Sequence, residues 1–195
     1  MGFDVDFGEH GLSSNDLNKK SDGQNLRDYP TMLAHDLPIE EIRRHTAYHE
    51  AGHAVVAQSQ GIDISKVSIG DRKDGYVDYT DDLEDRIDKR EFDTCYRFSL
   101  VRFAGLIAAA HEFPKVIDID GNAIDMTYYF TKLRPVLLEH TPEDEGVWEQ
   151  RITHECKSIV DERWVAVEAL AQEFLECTTM TGNEAVKIID AALSK

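Results

Sequence analysis

One short segment constrains this chain more than any other. His49-Glu50-Ala51-Gly52-His53 sits among the small and apolar residues Ala47, Tyr48, Ala54, Val55, Val56 and Ala57. On a helix, residues four apart lie on one face, so both imidazoles can reach one ion. The flanks require that helix to be largely buried, so each histidine needs a partner inside the protein. Asp36-Leu37-Pro38 supplies a cap and an early proline, Glu40 and Glu41 fill the first turn, and Gly61 marks the end. Those signals predict one long helix to about Gln60. Gly52 in its middle costs about 1 kcal/mol relative to Ala, which calls for close backbone approach.

The rest of the chain reads as mainly α with a small β-sheet or hairpin. Residues 1–37 are a polar arm rich in Gly, Ser, Asn and Asp, expected to be mobile, whose last residues cap the helix. Residues 38–195 form one domain, long enough to bury a real core. Segments 62–70 and 75–81 carry β-branched residues in partial alternation and predict two strands around a turn at 71–74. Helical signals resume near Leu83, and Cys95–Phe113 is apolar enough to belong to the core before Pro114 interrupts it. Gly121-Asn122 restarts a helix to about His140, with a kink at Pro135. Thr141-Pro142 caps the next, in which Val160, Trp164, Val167, Ala171 and Phe174 recur on one face. A last helix runs from Glu184 to Leu193. Tyr128, Tyr129 and Phe130 read as core, and Asp118–Asn122 as an Asx-rich turn rather than a calcium loop.

Charge narrows the partners. The net charge is −17 and the isoelectric point about 4.7. Such a surface repels phosphate backbones and anionic membranes, which argues against nucleic-acid binding. The apolar run Ala104–Ala110 is too short to span a bilayer, and the N-terminus lacks the features of a signal peptide, so no membrane insertion is expected. Three widely spaced cysteines (Cys95, Cys156, Cys177) without a C-x-x-C fit a reducing, cytoplasmic setting.

The His-Glu-x-x-His spacing is that of zinc-dependent peptidases: two ligands, His49 and His53, and a general base, Glu50. Zinc lowers the pKa of its bound water, and Glu50 would take the proton as that water attacks a peptide carbonyl. The bland alternative is two core histidines satisfied by hydrogen bonds. A catalytic zinc needs a third protein ligand. The metzincin continuation is excluded, because Val56 and Ser59 stand where Gly and His would be required. The residues leave Glu84, His111, Glu112, Asp118, Asp120 and Asp125 as candidates. Asp125 also has a simpler role, as an acid in the first turn of a helix capped by Asn122. His45, one turn before His49, reads as a surface or packing residue.

AYHEAGHAVVA followed by KVSIGDRKDGYV resembles the peptidase domain of the FtsH family of ATP-dependent zinc metalloproteases. The resemblance continues through LVRFAGLIAAA, GNAIDMTYYFTKL and the closing stretch VDERWVAVEALAQEFLECTTMTGNEAVKIID, so it spans about 38–193. It implies an FtsH-type fold, one zinc per chain, Asp125 as third ligand, and hydrolysis of peptides or unfolded proteins. The chain departs from that family in having no Walker A motif, no ATPase domain and no transmembrane segment. Leu106, Ala109 and Ala110 replace the family's Arg and paired Glu. The expectation is a free-standing peptidase module, with a homo-oligomer or an ATPase partner in trans as possible assemblies. The competing expectation is a zinc-stabilised binding or regulatory module without turnover. One strand of 62–81 could pair with an extended substrate.

Overall fold

The computed structural model describes residues 32–70, 75–80, 82–140 and 146–195. The expected arm is covered there only by its last residues, and the 71–74 turn and Thr141-Pro142 lie outside the described residues.

The motif helix, α1 (Ile39–Ser59), is the centre of the domain; residues His45 and Ala47 to Ala57 are all buried. It packs most extensively on α3 (Phe92–Glu112), which follows the short α2 (Asp82–Asp88). Gly52 explains itself at that contact. A Cβ there would stand 2.6 Å from the Ala104 carbonyl oxygen and 2.6 Å from Ala108 Cβ. The expected close approach is therefore real. Gly61, at φ +67°, ends α1 as expected. The start differs: Asp36 belongs to a single 3-10 turn, and Pro38 precedes α1 without a side-chain cap bond.

The hairpin β2 (Ile64–Ile69) and β3 (Gly75–Tyr79) is antiparallel, with Val67 opposite Val77. A third strand, β5 (Thr179–Thr181), pairs on the far side of β2, with Met180 opposite Val67. The sheet order β3-β2-β5 leaves β3 at an edge. A two-residue parallel ladder joins β1 (Met32–Leu33) to β4 (Val116–Ile117). Neither β5 nor this ladder was expected, since two or three residues carry no periodicity of their own.

The next helix, α4 (Ile119–Tyr128), starts earlier than the sequence suggests. Asp118 is its cap and accepts a 2.9 Å bond from the Gly121 amide; Asn122 is not the cap. Asp125 thus falls in the second turn, which removes its simpler role as a first-turn acid. The helix continues through a π turn at Tyr129–Leu133 into α5 (Arg134–His140). There Arg134 bonds back to Tyr129, which widens the ladder just before Pro135. The long amphipathic segment is two helices, α6 (Val147–Glu162) and α7 (Trp164–Glu176), broken at Arg163. Val160, Val167, Ala171 and Phe174 are fully buried, while half-buried Trp164 stacks on Tyr48 at 5.6 Å. Tyr129 is core, with Tyr128 and Phe130 packed beside it. Finally, α8 (Gly182–Leu193) opens on a capping box between Thr181 and Glu184. Among the described residues no helix is long and apolar enough to cross a membrane.

Candidate metal centre

Two helices converge on one point. α1 brings His49 and His53, and α4 brings Asp125. The two Nε2 atoms are 3.0 Å apart, and each lies 3.1 Å from Oδ2 of Asp125. All three residues are buried, at 4–6% exposure. Four-coordinate ligation at 2.0–2.1 Å sets neighbouring ligand atoms about 3.3–3.4 Å apart, close to this triangle.

Proton placement makes the same point. Nδ1 of His53 is 2.7 Å from the Val101 carbonyl, which can only accept, so Nδ1 carries the hydrogen. In the neutral ring Nε2 then presents a lone pair toward the Asp125 carboxylate. With both imidazoles neutral, a single proton on His49 Nε2 cannot satisfy both other edges of the triangle. A cation bonded to all three atoms can. The Nδ1 of His49 is buried without a hydrogen-bond partner. Hydrogen bonding alone therefore leaves this cluster unsatisfied, and the donor set fits a divalent ion.

Glycines open the space. A Cβ on Gly105 of α3 would lie 2.5 Å from both Nε2 atoms, so the imidazoles need a bare backbone opposite them. A Cβ on Gly75 of β3 would lie 2.5 Å from Oε1 of Glu50. Both positions were passed over in the sequence because spacing does not show what a glycine faces.

Glu50 is 6% exposed, and burial pushes its carboxyl up to about 7, against the lowering effect of His49 and Arg102. Burial also works against ionised Asp125, but His53, His49 and Arg102 outweigh it and hold its carboxyl well below the usual carboxylate range. Arg102 Nη2 stands 2.9 Å from Asp125 Oδ1. The sequence reading missed Arg102, although it is the one charge between Phe98 and Ala110.

These groups line a cleft of about 450 Å³, together with Thr46, Tyr76, Val77, Tyr79, Asp118 and Ile124. The cleft runs along β3, whose outer edge is unpaired among the described residues.

The other candidates do not join the three donor atoms. Glu84 is exposed and bonds the Tyr128 hydroxyl at 2.9 Å. His111 stacks on Trp164 at 3.8 Å, and Glu112 pairs with Arg44. Asp118 caps α4, and the side chain of Asp120 lies outside the described set. His45 is buried against Phe113, and burial drives it down to about 4 despite Asp118, as befits a packing residue. Ala109 is buried, Leu106 and Ala110 are exposed, and none of the three lines the cleft.

No protein-family model matches the chain, and no curated protein matches it significantly. The chemistry of the centre must be read from its geometry: two imidazoles and one carboxylate able to hold a metal ion, with a second buried carboxylate beside them.

Proposed function

We propose that this protein is a zinc metalloendopeptidase acting on peptides or already unfolded proteins. One observation carries the reading. The residue next to ligand His49 is a buried carboxylate, and it opens into the same cleft as the three converging donor atoms. Two imidazoles and a carboxylate suit zinc with a coordination position left for chemistry. Zinc held by His49, His53 and Asp125 would supply Lewis acidity, both to activate water and to polarise a carbonyl.

The protein's own groups divide the remaining work. Glu50, buried beside His49 and open to the cleft, takes the proton of the attacking water and returns it to the leaving amine. The His53 Nδ1–H bond to Val101 fixes the ring with Nε2 toward the centre. Gly75 keeps β3 close to Glu50 without crowding it. The edge of β3 that is unpaired among the described residues offers backbone groups to an extended chain, which would lay a scissile bond beside Glu50. A folded protein exposes no such segment, and opening one costs about 5–15 kcal/mol. The resemblance to FtsH-type peptidase domains supports the same chemistry and the same FtsH-type fold. Three free cysteines, two of them buried, suit a cytoplasmic setting.

A matched pair of substrates tests this: a stable domain, and a destabilised version carrying the same cleavable segment. The zinc-loaded protein should digest the destabilised version without ATP, lose that activity to a chelator, and spare the stable one. Digestion of the stable version only with an added ATPase and ATP would indicate a peptidase recruited in trans. Digestion of neither by a zinc-binding protein would favour the non-catalytic module.

A further inference from the structure

The two oxygens of Asp125 have different neighbours. Oδ2 faces both histidines at 3.1 Å, whereas Oδ1 faces Arg102 Nη2 at 2.9 Å. Arg102 comes from α3, one turn before Gly105, so a third helix reaches the carboxylate from a different element than its metal-side partners. The guanidinium is itself held. It lies 5.0 Å from the ring centre of Tyr128 and 5.7 Å from that of Phe98, and its side chain is 15% exposed. The Tyr128 hydroxyl is in turn bonded to Glu84. Turning the Asp125 carboxylate so that both oxygens meet one ion would break the ion pair with Arg102.

We propose that Arg102 is a positioning residue for the metal centre: it holds Oδ1 so that Asp125 ligates through Oδ2 alone. The proposal rests on the metal-centre reading and adds to it a stated coordination mode. Single-oxygen ligation leaves a position free for water and substrate, which bidentate ligation would compete for. Charge alone predicts the opposite effect. A fixed cation beside a dication repels it, so a purely electrostatic Arg102 would weaken metal binding and its removal would tighten it. Positioning and repulsion thus give opposite signs in one measurement.

The test uses the full chain with Arg102→Met and Arg102→Lys. Zinc affinity is measured by competition with a chromophoric chelator, and coordination by the visible spectrum of the cobalt(II)-loaded protein. Thermal melting of each metal-free variant reports the fold. Arg102→Met should bind zinc roughly 10–100-fold more weakly, the usual cost of losing a residue that orients a ligand. Its cobalt absorption should also fall as a second oxygen enters. Arg102→Lys keeps a donor and the charge but not the planar fork, so its affinity should lie between the two. If Arg102→Met does not fold, Arg102→Lys carries the comparison, and an affinity below wild type supports positioning. Equal or tighter zinc binding with an unchanged cobalt spectrum overturns it. Wild-type protein that binds no zinc overturns the metal-centre reading itself, a different result from wild type that binds and variants that do not differ.

Discussion

Replacing Gly105 by alanine asks the most of the site's geometry. An alanine Cβ at this position would stand 2.5 Å from Nε2 of His49, 2.5 Å from Nε2 of His53 and 2.7 Å from Cδ2 of His49. Ordinary contacts to a methyl group begin near 3.4 Å or beyond, so both imidazoles must retreat by most of an ångström, or α3 must move off α1. Forced repacking of that kind costs about 1–3 kcal/mol. Neither ring can retreat while also holding an ion between them, so the cost should fall on metal binding, as a loss of about 5- to 150-fold in zinc affinity. Helix propensity pulls the other way: alanine gains about 1 kcal/mol over glycine inside a helix. The assay is zinc affinity by chelator competition, paired with melting of the metal-free and zinc-loaded forms. Zinc should raise the melting temperature of wild type by clearly more than that of the variant. A variant that melts higher than wild type and binds zinc equally well would refute the packing of α3 against the ligand pair.

Asp125→Ala should reduce zinc affinity by more than the roughly 10–100-fold typical of an orienting residue, because it removes a ligand outright; undiminished zinc content after dialysis would exclude Asp125 from the site. Gly52→Ala should lower stability by about 1–3 kcal/mol in urea titration, since its Cβ meets the Ala104 carbonyl and Ala108 at 2.6 Å each; a neutral or stabilising effect would contradict the contact of α1 with α3. Glu50 gives a pH signature. Its folded carboxyl is raised from 4.5 to about 7, so its contribution to stability is present below 4.5 and lost as pH rises through 7. In metal-free protein, Glu50→Gln should therefore gain about 2–3 kcal/mol over wild type on going from pH 5 to pH 8. A difference that does not change with pH would show that Glu50 is not held in a desolvated position.

The chain announces part of this structure and conceals the rest for physical reasons. The His49–His53 spacing, the apolar flanks and Gly61 all act within one helix, so local pattern was enough for the body and end of α1, though not for its start. The hairpin was equally local, with β2 and β3 found within one or two residues of their expected ends. Asp125 is different. It lies 72 residues beyond His53, and no spacing rule reaches that far; residue chemistry left it as one of six candidates, and the family resemblance singled it out. Its helix was misread because Asp118, four residues before Asn122, takes the cap. The segment β5 is strand only because β2 offers it an edge. Arg102 left a usable sign, a single charge in the apolar stretch from Phe98 to Ala110 that needs a buried anion to face it. Gly105, inside an apolar helix, carried the same sign as Gly52, but neither it nor Gly75 showed what its bare backbone faces, because that sits on another element.

We propose Glu50 as the base beside a zinc centre built from His49, His53 and Asp125. This role is tested most directly by zinc-loaded wild type and Glu50→Gln side by side on one unfolded protein substrate, with zinc content measured in both preparations. The amide is nearly isosteric with the carboxylate but cannot take a proton from water. Each preparation should hold about one zinc per chain, with cleavage by wild type and none above background by the variant. Equal cleavage by the two zinc-loaded proteins would contradict that role.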